Sequence, residues 1–131
     1  MTDNPLKLTV AHVLFEGFPT LDMYGPVQAF ASCRKPDGDG GWLRDFSQIT
    51  LGRTASAFKS GEGPTTTADY SFDDAPAFDI LLIPGGFGTR RVVEDQGMLD
   101  AIAALSERAA MTTTVCTGSA ILARTGLLDG R

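Results

Sequence analysis

Two rhythms of apolar and polar positions alternate along this chain and divide it into elements. Residues 7–15, KLTVAHVLF, form a nearly unbroken apolar, β-branched run around one histidine, which predicts a buried strand. Residues 20–33, TLDMYGPVQAFASC, predict a helix with Thr20 as its N-cap. Pro26 is either tolerated near the first turn or marks a later start. Residues 36–41, PDGDGG, read as a loop, and 46–51, FSQITL, as a second strand. Between residues 54 and 70 the turn Gly61-Glu62-Gly63-Pro64 separates two short strand-like runs, predicting a hairpin inserted between core elements. Residues 71–77, SFDDAPA, form a loop, and 78–84, FDILLIP, read as a central parallel strand broken by Pro84-Gly85-Gly86-Phe87-Gly88. Met98, Ile102, Leu105 and Ala109 then carry helical spacing within 95–110. A β-branched strand follows at 111–115, then a helix at 117–125 that Gly126 closes.

This alternation is an α/β pattern and implies a parallel sheet with helices on its faces, in a single domain spanning residues 1–131. Ligands in such sheets bind at the carboxyl ends of strands, which directs attention to 16–22, 84–88 and 116–119. The last residues, Leu127-Leu128-Asp129-Gly130-Arg131, read as a turn that should feed another strand. The expectation is the N-terminal part of a longer, C-terminally truncated domain, with a genuine short domain as the alternative.

Composition narrows the classes. At 131 residues, 43% hydrophobic and 21% charged, the chain can build a core and is not mainly disordered. No apolar stretch approaches the roughly 18 residues of a membrane span, and the N-terminus lacks a leader pattern, so a cytoplasmic protein is expected. The 11 basic residues are scattered against 16 acidic ones, so direct nucleic-acid binding is not expected. Two cysteines, Cys33 and Cys116, are too few for a disulfide framework, and a reducing compartment disfavours a bridge between them. Together with one distant His they make no zinc set, so no metal is expected.

Cys116 stands between a strand and a helix in V-C-T-G-S. Free amides at a helix start favour negative charge, so a thiol there is a candidate nucleophile; a buried structural cysteine is the alternative. The glycine loop at 84–88 fails the dinucleotide fingerprint because Arg91 stands where the third Gly is required. It is either an amide-rich partner for an oxyanion hole with the Thr117 amide or a plain turn. Asp22, near a helix start, reads as helix-end stabilisation or as a site acid, and Glu16 could face the same crevice. His12 reads as a core or sheet-face histidine, which leaves no Cys–His dyad. Cys33 reads as packing, and Arg90-Arg91 as a solvated pair or an anion contact.

Together these stretches resemble the ThiJ/PfpI superfamily, with its class I glutamine amidotransferase-like, flavodoxin-like fold. The likeness rests on LFEGF at 14–18 with LDMYGP at 21–26, FDILLIPGG at 78–86, and VCTGS at 115–119 continuing to GLLDGR at 126–131. It implies a three-layer sandwich with a mostly parallel sheet and the inserted hairpin. Within the superfamily the L-D-x-x-G-P and C-T-G motifs are most similar to isocyanide hydratases and to the amidase-like N-terminal domains of AraC-type regulators. By this resemblance Cys116 falls on the nucleophile, Asp22 on the acid that contacts it, and Gly86 and Thr117 on the oxyanion-binding backbone. Thr117 occupies the place where the superfamily's proteases carry His, which argues against peptidase activity. Family members continue for another half that completes the sheet, often brings a His near the nucleophile, and helps form a homodimer.

The resemblance thus implies a cysteine-dependent hydratase or amidohydrolase-like enzyme, without cofactor or metal, that converts a small-molecule isocyanide to an N-formamide through a thioimidate on Cys116. Two rivals remain: a non-catalytic ligand-sensing domain of a transcription regulator, and a stress-related deglycase or redox-sensing protein.

Overall fold

The computed structural model describes residues 7–131; the N-terminal segment read above for a leader lies largely outside them. The elements run β1 (Leu8–Val13), α1 (Thr20–Ser32), β2 (Arg34–Pro36), β3 (Trp42–Arg44), β4 (Phe46–Gly52), β5 (Ala57–Lys59), β6 (Thr65–Thr67), β7 (Tyr70–Ser71), β8 (Ile80–Ile83), α2 (Thr89–Val92), α3 (Gln96–Arg108), β9 (Met111–Thr114) and α4 (Gly118–Arg124). Among the described residues, β7, β4, β1, β8 and β9 lie side by side in that order as one sheet, and every pairing within it is parallel. This is the α/β architecture expected from the alternating pattern.

β1 is the middle strand, paired on both sides, and β8 flanks it. Its residues Val10, Ala11, His12 and Val13 are fully buried, as a parallel strand covered on both faces requires. Ala11 and Val13 share a core with Leu81 and Ile83 of β8, Met98, Leu99, Ile102 and Leu105 of α3, and Ile121 and Leu122 of α4. The opposite face carries His12 against Phe30 of α1 (ring centroids 6.5 Å apart). The three layers are therefore α1, the sheet, and α3 with α4.

The helix spacing at Met98, Ile102 and Leu105 does pack inward, and Asp95 caps α3 by accepting the Met98 amide at 3.0 Å. Gly126 has φ +87° just past α4, the left-handed closing residue its position predicts. Several local readings need correction. Thr20 is not the N-cap of α1; Pro19 holds that place, with no side-chain cap. The helix start is satisfied from outside, because Glu62 Oε1 accepts both Thr20 N (2.7 Å) and Thr20 Oγ1 (3.0 Å). Pro26 therefore lies in the helix interior, where it cannot donate to the Asp22 carbonyl. The 36–41 loop is the tip of a small hairpin, β2 with β3. Ser71, assigned to a loop, pairs with Gly52 at the sheet edge. Cys33 does not pack inside; it is exposed.

The predicted inserted hairpin exists as β5 with β6. It does more than fill a gap. Gly17 N donates to Lys59 O and Gly61 N to Phe18 O, each at 2.9 Å, while Tyr24 Oη and Thr66 Oγ1 lie 2.6 Å apart. With the Glu62 cap, these bonds pin the first turns of α1 against the carboxyl end of β1.

Among the described residues, no helix is long and apolar enough to cross a membrane.

Candidate active site

The turn after β9 is built to present its cysteine. Val115 N still donates to Ile83 O at 3.0 Å, so the strand is held in register to the last residue before Cys116. Cys116 then adopts φ +54°, alone among the described non-glycine residues in the left-handed region. A side chain there costs about 1–2 kcal/mol, which surrounding structure must impose. The chain turns directly into α4, whose Gly118 passes so close to β8 that a Cβ would collide with the Ile83 carbonyl oxygen. This strand–turn–helix elbow leaves Cys116 exposed with a free thiol, which excludes a buried structural cysteine. Cys33 is free as well, so the two are unbridged.

The turn after β8 abuts this elbow. Gly86 has φ +84°, and a Cβ there would come within 2.5 Å of Pro19 Cγ, so glycine is required. Gly86 N donates to Thr117 Oγ1 at 2.8 Å, and Thr89 Oγ1 lies 3.2 Å from the same hydroxyl. Gly118 N is satisfied by Val115 O at 2.9 Å. Among the described residues the Thr117 amide has no acceptor, whereas the Gly86 amide already holds one.

Asp22 enters from the first turn of α1. Half-buried, it does not cap its own helix; its Oδ2 accepts the Gly85 amide at 3.3 Å. Gly85 is itself packed under the elbow, since a Cβ on it would lie 2.6 Å from Thr117 N. Asp22 thus reaches the elbow through one intervening residue. Glu16 is exposed and meets the hairpin at Lys59 N (3.3 Å), lining a separate cleft with Arg53, Arg91 and Asp95.

A cavity of about 320 Å³ opens over the sulfur, lined by Gly86, Phe87, Thr89 and Arg90 on one side and Cys116, Thr117 and Ala120 on the other. Three of the four residues nominated from sequence, Cys116, Thr117 and Gly86, line it; Asp22 does not. Phe87, Thr89, Arg90 and Ala120 were not nominated for this cavity, although Arg90 belonged to a noted basic pair. Arg90 is the one charged residue in the lining, and its guanidinium carbon stands 5.5 Å from the Phe87 ring centroid.

His12 is removed from this chemistry. Gln48 Nε2 donates to Val27 O at 2.9 Å, which turns Gln48 Oε1 toward the ring, so His12 Nε2–H donates to it at 2.8 Å. Nδ1 is buried without a partner. Burial lowers the His12 pKa below its ordinary value, partly offset by the Gln48 bond.

Comparison with known proteins decides the family. The DJ-1/PfpI pattern matches residues 8–131. The chain belongs to the DJ-1/PfpI family. Among DJ-1/PfpI relatives, it is 34% identical to the isonitrile hydratase of Pseudomonas putida over 126 residues, covering 96% of this chain and 51% of that protein. It is 42% identical to the HTH-type transcriptional regulator GbdR of Pseudomonas aeruginosa over 124 residues, covering 93% of this chain and 32% of the regulator. A solved ThiJ/PfpI family protein from Pseudomonas syringae superposes with TM-score 0.80 at 27% identity, covering 95% of this chain and 48% of that one. The chain thus spans about half the length of the hydratase and about a third of the regulator.

Proposed function

We propose that this chain carries the nucleophile-bearing part of a cysteine-dependent hydratase or amidohydrolase-like enzyme, acting on a small isocyanide. The observation that carries the reading is the exposed Cys116 thiol, held at φ +54° on a strand-to-helix elbow and opening into a cavity of about 320 Å³. The similarity to an isonitrile hydratase over 96% of the chain supports the choice of substrate class.

In this mechanism the Cys116 thiolate forms a bond to the terminal carbon of R–NC. That carbon takes up one proton, giving a thioimidate. Water then adds across the C=N bond, its hydroxyl going to carbon and its proton to nitrogen. The C–S bond breaks, the hydroxyl proton departs, and the product is R–NH–CHO. The proton consumed in the first step is returned in the last, so the sum is isocyanide plus water giving N-formamide. Asp22, held behind Gly85 and outside the cavity lining, moves these protons through an intervening water, a role typically worth roughly 10²–10⁴ in rate. The Thr117 amide holds developing negative charge; the Gly86 amide joins it when released from Thr117 Oγ1. No cofactor or metal takes part, and the active form is a homodimer in the cytoplasm.

The test is Cys116→Ala in the full-length protein, with formamide formation followed by NMR. Abolished turnover is expected; retained hydration overturns the mechanism.

The 42% identity to a transcription regulator supports a second reading, in which the same cavity binds a metabolite without converting it. Saturable ligand binding with no product, in a chain continuing into a helix-turn-helix region, would favour it.

A further inference from the structure

Arg90 has no role in the mechanism above, yet it belongs to the wall of the Cys116 cavity. The rest of that wall is uncharged: Gly86, Phe87, Thr89, Thr117, Ala120 and the cysteine. Arg90 makes no ion pair among the described residues; the salt bridge there joins Arg53 to Asp95. Its charge is therefore not cancelled by a fixed carboxylate. Neither is it free to wander, because the guanidinium sits over the Phe87 ring at 5.5 Å. Phe87 is an aromatic residue left 81% exposed at the same cavity. A large apolar ring in solvent beside an unpaired cation is an amphipathic surface, suited to a ligand with one apolar and one anionic part. The neighbouring Arg91 belongs to a different cleft, with Glu16 and Asp95, so the adjacent pair is split between two sides of α2. Of the two, Arg90 alone lines the Cys116 cavity.

We propose that Arg90 is a specificity residue of the Cys116 cavity, selecting small electrophiles that carry a carboxylate and whose apolar part lies against Phe87. This rests on the reading of Cys116 as the nucleophile. A guanidinium pairs a carboxylate through its planar donor fork, which orients as well as attracts it. The substrate class narrows accordingly, from isocyanides in general to those bearing an acid group.

The probes are iodoacetate and iodoacetamide, close in size and differing in charge. With either, a bond forms from the Cys116 sulfur to the methylene carbon, the C–I bond breaks and iodide leaves. Labelling of each cysteine in this chain is followed by mass spectrometry. The readout is the iodoacetate-to-iodoacetamide rate ratio at Cys116, with the exposed Cys33 as an internal reference. Arg90→Gln should lower the Cys116 ratio roughly fivefold, the scale of one unit charge near contact in water. Arg90→Lys should restore part of it, and the Cys33 ratio should stay constant. In the unmodified chain, raising salt from low to 0.5 M should also lower the Cys116 ratio. A Cys116 ratio insensitive to both Arg90→Gln and salt overturns the proposal while leaving the nucleophile intact. A Cys116 that neither reagent labels overturns the nucleophile reading as well.

Discussion

Thr117 Oγ1 accepts the Gly86 amide at 2.8 Å, so the residue immediately after the cysteine fastens the neighbouring strand-end turn to the elbow. Thr117→Val keeps the shape and removes the acceptor. It should cost about 1 kcal/mol of stability in urea unfolding. It should also slow Cys116 alkylation several-fold by loosening the cavity wall, whereas Thr117→Ser should behave like the parent. Equal labelling rates for all three would show that this bond does not shape the site.

The left-handed backbone at Cys116 stores strain that is independent of the sulfur. Two thiol-free variants separate backbone from chemistry. Cys116→Gly should be more stable than Cys116→Ala by about 1 kcal/mol, because glycine adopts positive φ without steric cost. In an unstrained strand or helix the order would reverse. Chemical denaturation of the pair decides.

Glu62 caps α1 across a sequence gap, accepting from both the amide and the hydroxyl of Thr20. Glu62→Ala should cost about 1 kcal/mol, as loss of an N-cap does. The loss should appear as faster amide exchange in the first turn of α1, which carries Asp22. Unchanged exchange there would mean the hairpin does not support the helix start.

His12 makes stability depend on pH. Its folded-state pKa lies below 6.5 because burial disfavours the imidazolium. Between that lower value and 6.5 the unfolded chain binds more protons than the folded one. The contribution is therefore fully present above about pH 6.5 and declines as pH falls toward the folded value. Unfolding measured from pH 7.5 to 5 should show this decline in the parent chain, and His12→Gln should lack that component of the slope. Parallel slopes would exclude His12 as the cause.

The buried elements were legible where one-dimensional pattern and burial coincide. β1 and β8 are short apolar runs because both faces of a parallel strand are covered. α3 showed its inward stripe at Met98, Ile102 and Leu105. What escaped were elements whose partners are distant. β7 has two residues and exists through its pairing with β4, and α2 is a single turn set by the loop before it. Local propensity favours Thr20 as a cap because it cannot see a carboxylate 42 residues away.

Alone, the order of residues determined the alternation of strands and helices, the ends of the strands where chemistry would gather, and the candidacy of Cys116, Asp22, Gly86 and Thr117. The elements, the strand ends, Cys116 and the Thr117 amide follow from periodicity and turn chemistry, which act over a few neighbours; Gly86 as an oxyanion residue and Asp22 as the acid at the nucleophile follow from the resemblance of the motifs to the ThiJ/PfpI superfamily. Tertiary structure decided the rest: that Cys116 is exposed on a strained elbow, that Asp22 bonds Gly85 rather than its own helix, and that Arg90 and Arg91 part to opposite clefts. These depend on which side chains and amides meet across long stretches of chain, and only packing the sheet against its helices brings them into contact.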